Sequence, residues 1–103
     1  MLFRPINASS KTIAATSTSS STALDTQSKP TCLLVQTLAA SSECFIRIGA
    51  GAQTALTTDM VILPGVTYYI PLNLDVETHI GAICSATETA TLYITNGYAR
   101  VGQ

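Results

Sequence analysis

The stretch THIGAICSATETATLYIT, residues 78–95, holds the only histidine of the chain and one of its three cysteines. Two apolar segments, 78–84 and 89–95, lie on either side of the short polar stretch 85–88. Apolar residues alternate with other residues in both segments, which is the period of a β-strand with one buried face. The stretch therefore predicts two strands joined as an antiparallel hairpin.

A metal site at this stretch is disfavoured by the same alternation. His79 and Cys84 fall on opposite faces of the first strand, so a regular strand cannot aim both at one ion. A Cys3His zinc site that also used Cys32 and Cys44 would lack the closely spaced ligand pair that is typical of zinc sites. Three buried thiols acting as small apolar side chains are favoured, and the zinc site is the alternative. An odd number of cysteines also excludes a fully paired set of intrachain disulfides.

The rest of the chain shows the same strand-like character. Further strands are predicted at 11–17, 31–38, 43–49, 60–63 and 66–73. Turns are predicted at 39–42 and at Pro64-Gly65, and Pro71 indicates either an edge strand or the end of its strand. No helical spacing of apolar residues competes, and β-branched residues are abundant. The prediction is an all-β fold, a small antiparallel β-sandwich or jelly-roll-like barrel of about seven or eight strands with an extended N-terminal arm.

The chain of 103 residues is expected to form one domain with an extension at each end. The predicted organisation is an extended N-terminal arm at 1–10, a β-sandwich domain at 11–97 and a C-terminal tail at 98–103. Pro5 argues against a helix in the arm.

Both extensions are candidate partner-binding segments. Leu2, Phe3 and Ile6 are sizeable apolar residues outside the core pattern. The hypothesis is that the arm docks on a neighbouring protein with Phe3 as anchor and Arg4 paired with an acid, and the alternative is a disordered terminus. In the tail, Tyr98 and Arg100 are a second candidate contact.

The charge content bears on the classes of partner. Only 11% of the residues are charged and the net charge is -1. Nucleic-acid binding needs a cluster of Lys and Arg, whereas the five basic residues here are scattered. The apolar runs are too short to span a bilayer, and no signal peptide is expected. We therefore expect neither nucleic acid nor membrane as a partner, and a surface of low charge tolerates burial against protein.

No pattern of catalytic residues stands out, so the sequence predicts no enzyme, no metal and no cofactor. Asp75 and Glu77 could form a cation site, but a solvated loop is favoured because calcium loops carry denser oxygen donors. Four tyrosines could stack on a sugar, although packing in the sheet is favoured. They are Tyr68, Tyr69, Tyr93 and Tyr98.

Five short motifs along nearly the whole chain resemble a family of small virion proteins of tailed bacteriophages, encoded among the head genes. They are FRP at 3–5, FIRIG at 45–49, LPG at 63–65, THIGAI at 78–83 and TATLYITNG at 89–97. The chain departs from the family at 38–41, where Leu-Ala-Ala-Ser replaces a common Asn-x-Gly turn.

The resemblance implies a non-enzymatic β-sandwich of the virion, made in the host cytoplasm. The expected role is a capsid cement or decoration protein on the capsid exterior, which binds the major capsid protein and stabilises the head. A symmetric homo-oligomer such as a trimer is expected. The alternatives are a head–tail connector, a tail or fibre component, or a carbohydrate-binding module.

Overall fold

The computed structural model describes residues 2–24, 29–37, 42–73 and 76–100. These residues form nine β-strands and no helix. The strands, in chain order, are β1 Leu2–Pro5, β2 Lys11–Ala15, β3 Ser20–Ala23, β4 Cys32–Thr37, β5 Cys44–Gly49, β6 Met60–Ile62, β7 Thr67–Pro71, β8 His79–Cys84 and β9 Ala90–Arg100.

The strands build two antiparallel sheets. The first has the order β1-β9-β4-β7, with β2 also paired to β9, and the second has the order β3-β8-β5-β6. The prediction of an all-β fold is confirmed, and the two sheets are consistent with a sandwich. The jelly-roll connectivity and the extended N-terminal arm are not confirmed.

Buried side chains from both sheets form one core. The first sheet contributes residues such as Leu33, Leu92 and Ile94, and the second contributes Ile62 and Ile80, all at most 1% exposed. The predicted inward faces of β5, β8 and β9 are confirmed: their residues are buried, except that Ile48 is partly buried against the core. Pro71 lies in β7 at the edge of the first sheet, as predicted.

The hairpin predicted at 78–95 is wrong. β8 pairs with β3 and β5 in the second sheet, whereas β9 belongs to the first sheet. The intervening residues carry the chain from one sheet to the other through a tight turn, in which the Glu88 N–H donates to the Ser85 carbonyl at 3.1 Å. Alternation in a strand indicates which side chains face the core, but both sheets face the same core, so it does not indicate which sheet the strand joins.

The ends of the chain also differ from the prediction. Residues 2–5 pair with residues 97–100 of β9, so part of the predicted arm and part of the predicted tail form two neighbouring strands of one sheet. This extra strand, together with β3 in the Ser/Thr-rich region, raises the number of strands above the expected seven or eight. The turn predicted at 39–42 falls outside the described residues except for Ser42.

Candidate interaction surface

All six residues predicted to bind a partner lie on or beside β1 and the end of β9. Leu2 is opposite Arg100 and Arg4 is opposite Tyr98 in the register of the two strands. Phe3 is half-buried on β1, and Ile6 directly follows this strand. The two contacts that the sequence suggested as separate are therefore one corner of the first sheet.

Phe3 packs within its own chain. Its ring centroid lies 5.3 Å from that of Tyr69 on β7, with the ring planes tilted by 49°. The ring crosses over Gly97 of β9, where a side chain would meet it. Phe3 thus ties β1 to the outer face of the first sheet, and its ring is only partly available to a partner.

A buried polar pair holds the segment between β1 and β2. The Ser9 hydroxyl donates to the Ile6 carbonyl at 2.7 Å and lies 3.1 Å from the Asn96 carbonyl. The Asn96 side chain is 1% exposed and donates its amide to the Ser9 carbonyl at 3.3 Å. This pair was not predicted, although the sequence carries a signal for it: Asn96 occupies an inward position of the alternation that buries Leu92 and Ile94.

Several exposed apolar residues lie on and beside the edge strand β6, and we call this set the apolar margin. It follows the edge strand β6 and the turn into β7, the edge strand of the first sheet. Its members are exposed by 37–47%: Leu56, Met60, Val61, Leu63 and Val66. Their exposure was not predicted from the sequence, because a short apolar strand is expected to be buried. Nothing in the sequence of hydrophobic residues shows that this strand lies at an edge.

The turn that carries the apolar margin is fixed by hydrogen bonds. Pro64 and Gly65 form its centre, and Gly65 has a φ of 74°, which the second central residue of a type II turn requires. The Leu63 N–H donates to the Tyr68 hydroxyl at 3.2 Å. The Gly65 N–H donates to the Thr37 carbonyl at 3.2 Å, which joins the turn to β4.

Asp59 fixes the other end of the apolar margin. One carboxylate oxygen accepts the Leu56 N–H at 2.7 Å, and the other accepts a guanidinium N–H of Arg47 at 3.0 Å. These bonds, chiefly the one from Leu56, hold the pKa of Asp59 below its usual value. Asp59 thereby joins the loop that precedes β6 to β5.

The lowered pKa of Asp59 predicts a pH dependence of stability. A carboxylate with a folded-state pKa below its unfolded value of about 3.9 stabilises the fold above that pH, and this contribution is lost as the pH falls. We expect Asp59→Asn to reduce the free energy of unfolding at pH 7, and the difference from wild type to shrink below about pH 4. Urea unfolding across a pH series measures it. Arg47→Gln, which keeps the Leu56 bond, should retain most of the dependence, and a difference that is constant with pH would contradict the assignment.

The opposite side of the molecule is polar. There β2 and β3 are joined by residues 16–19, and the exposed residues are mainly Ser and Thr: Thr12, Thr16, Ser17, Thr18 and Ser20. The hydroxyl groups of two further serines on this side accept backbone hydrogen bonds: Ser19 from the Ala55 N–H at 2.8 Å and Ser21 from the Gln53 N–H at 3.0 Å. The β6 edge is therefore rich in exposed apolar residues and the β2–β3 side in hydroxyl groups, and the two meet where Ala55, the residue before Leu56, bonds to Ser19.

The cysteines and the histidine do not form a site with one another. The His79 ring lies 2.9 Å from the Thr78 hydroxyl. Burial raises the pKa of all three thiols, that of Cys44 to about 12 with a contribution from Cys84. Within the described ranges, no group of three or more His, Cys, Asp or Glu side chains could hold a metal. Asp75, half of the possible cation site, lies outside these ranges.

Comparisons with protein-family models, curated proteins and solved structures found no match. In the part of the chain that the structure describes, no helix is long and apolar enough to cross a membrane.

Proposed function

We propose that the protein is a capsid cement or decoration protein of a tailed bacteriophage. It binds the shell of the major capsid protein from outside, as a symmetric homo-oligomer, and stabilises the head. The proposal is supported by the resemblance of the five sequence motifs and by the all-β architecture of two sheets. It involves no catalytic step and no cofactor.

The contrast between the two sides of the fold carries the proposal. The apolar margin places five exposed apolar residues on adjoining segments, whereas the opposite side presents hydroxyl groups. Contiguous exposed apolar surface marks interaction sites on proteins. Asp59 and Arg47 bring charge close to the margin but are paired with each other, and Glu43, just before β5, is exposed beside it. The paired charges already offset each other, which lowers the cost of desolvating them on docking.

The apolar margin also offers backbone groups to a partner. Among the described residues, β6 pairs only with β5 and β7 only with β4. The outer edges of both strands therefore have N–H and C=O groups that could accept an added strand. We assign this margin to the contact with the major capsid protein.

Charge placed in the apolar margin tests the proposal. The variant Val61→Asp with Leu63→Asp should bind shells that lack this protein at least about tenfold more weakly than wild type, a loss of about 1.4 kcal/mol. Sedimentation of purified protein with such shells measures binding. The matched control, Thr12→Asp with Ser17→Asp, adds the same charge to the opposite side and should bind as wild type.

The controls make the result interpretable. Thermal unfolding must show that both variants are folded. Equal binding by the margin variant and wild type would refute the assigned surface, and failure of wild type to bind any shell would refute the cement role. Density in the reconstructed virus particle separates the alternatives, since a cement protein covers the shell whereas a connector forms a single ring at the portal vertex.

A second candidate is a carbohydrate-binding module, because two exposed tyrosines share the outer face of the first sheet. Tyr69 lies opposite Leu34 of β4, and Tyr93 lies opposite Gln36 of the same strand. Tyrosine rings beside an amide are suited to stacking on a sugar ring and bonding its hydroxyls. Glycan binding that is lost in Tyr69→Ala and Tyr93→Ala, with shell binding unchanged, would favour this candidate.

A further inference from the structure

Two of the three cysteines lie directly opposite each other on neighbouring strands. Cys44 begins β5 and Cys84 ends β8, and the antiparallel register pairs them. Both side chains point into the core, with exposed fractions of 0% and 1%, and both are free thiols. Cys32 lies in the other sheet, opposite Gly97 and Pro71.

Residues opposite each other in an antiparallel sheet either exchange backbone hydrogen bonds or do not. The backbone hydrogen bonds at Cys84 show that Cys44 and Cys84 do not. The Cys84 N–H donates to the Thr16 carbonyl at 2.7 Å, and the Thr78 carbonyl accepts the Leu24 N–H at 2.9 Å. Thr16 directly follows β2, so the Cys84 N–H points away from β5 and toward the opposite side of β8. Cys84 therefore exchanges no backbone hydrogen bond with Cys44.

Pairs of this kind are the closer ones in an antiparallel sheet, with Cα atoms about 4.5 Å apart. A disulfide needs a Cα separation of roughly 4.4–6.8 Å and side chains that point to the same side. The Cys44–Cys84 pair meets both conditions because cross-strand partners share a face of the sheet.

We propose that Cys44 and Cys84 are a disulfide-forming pair that is oxidised by a small-molecule disulfide such as oxidised glutathione. One thiolate attacks a sulfur of the external disulfide, which forms a mixed disulfide and releases one molecule of reduced thiol. The second thiolate attacks the protein sulfur of that bond and releases the other. The two protein thiols lose two protons and two electrons, which the external disulfide gains. This inference goes beyond the proposed function and does not depend on it.

The surroundings of the pair predict a slow reaction. The thiolate is the attacking species, and burial raises the pKa of both thiols, so little thiolate exists in the closed fold. Exchange therefore requires local opening, for which the outer part of the second sheet is suited because β6, the neighbour of β5, has only three residues. Once formed, the bond is equally shielded from reducing thiols.

The bond should stabilise the fold. It closes a long loop between residues 44 and 84 and so removes conformations from the unfolded chain. We expect the oxidised protein to unfold roughly 10 °C above the reduced protein.

The test uses Cys32→Ala, which leaves only the two paired cysteines. The protein is incubated with oxidised glutathione just below the unfolding midpoint of the reduced form until its thiol content is constant. We expect thiols titrated after denaturation to fall from two to none per chain. The intact mass should fall by two hydrogen atoms, and one cross-linked peptide should contain Cys44 and Cys84. Cys32→Ala with Cys84→Ala is the control, and it should form no internal bond.

Three outcomes would overturn the inference: thiols that stay free, a stable glutathione adduct, or a disulfide between chains. If Cys32→Ala fails to fold, the same peptide analysis of the wild-type protein decides the question. There a bond of Cys32 to either partner contradicts the proposal, and a bond between Cys44 and Cys84 supports it.

Discussion

Replacing Gly97 by alanine is expected to destabilise the protein by about 3 kcal/mol, at the upper end of what overpacking costs. A Cβ atom at this position would lie 2.5 Å from the carbonyl oxygen of Arg4 and 2.5 Å from the Phe3 ring. The ring could rotate away, but the carbonyl belongs to the strand that pairs with β9, so β1 itself must shift or detach. The loss in free energy of unfolding cannot exceed what β1 contributes to it, because β1 can detach.

Urea unfolding measures the cost, and Gly51→Ala supplies the comparison. A Cβ at Gly51 meets nothing within 4 Å, but the residue has a φ of 71°, so only backbone strain of about 1 kcal/mol is expected there. Deleting residues 1–5 removes the atoms that collide with the Cβ. Gly97→Ala should then cost far less in the truncated chain than in the full one. An equal cost in both chains would show that the close approach of β1 is not the cause.

Replacing Leu92 by alanine is expected to cost about 3–4 kcal/mol, much of the total stability of a small domain. Leu92 is 0% exposed, lies on β9 between β2 and β4, and faces the core shared by the two sheets. Its truncation removes apolar contacts and leaves a cavity that paired strands on both sides prevent from collapsing.

Leu63→Ala is the matched control, because it is the same substitution at a leucine that is 44% exposed. Urea unfolding should give a loss below about 1 kcal/mol for this variant. If Leu92→Ala should not fold, Leu92→Val gives a smaller loss that remains measurable. Equal losses for the leucine-to-alanine pair would contradict the placement of β9 at the centre of the core.

The residues of the proposed interaction surface were only partly predictable from the sequence. Phe3 and Arg4 stood out because they precede the core pattern, and the structure brings them beside Tyr98. The apolar margin was missed, since Val61 and Leu63 look like core residues in the sequence. They alternate with the fully buried Ile62, so they face away from the core, and no described strand lies beyond β6 in its sheet. Which of the alternating residues face inward, and where β6 lies in the sheet, follow from pairing between distant segments.

The fold class, the single core and the inward face of most strands could be predicted from the amino-acid sequence. Each follows from local properties, namely β-branched residues, a period of two and turn residues such as Pro64-Gly65. Three features could be seen only in the folded structure: 78–84 and 89–95 belong to different sheets, residues 2–5 pair with 97–100, and Cys44 faces Cys84. These pairings depend on contacts between segments far apart in the chain, and both sheets bury the same alternating pattern, so the pattern fits either sheet equally well.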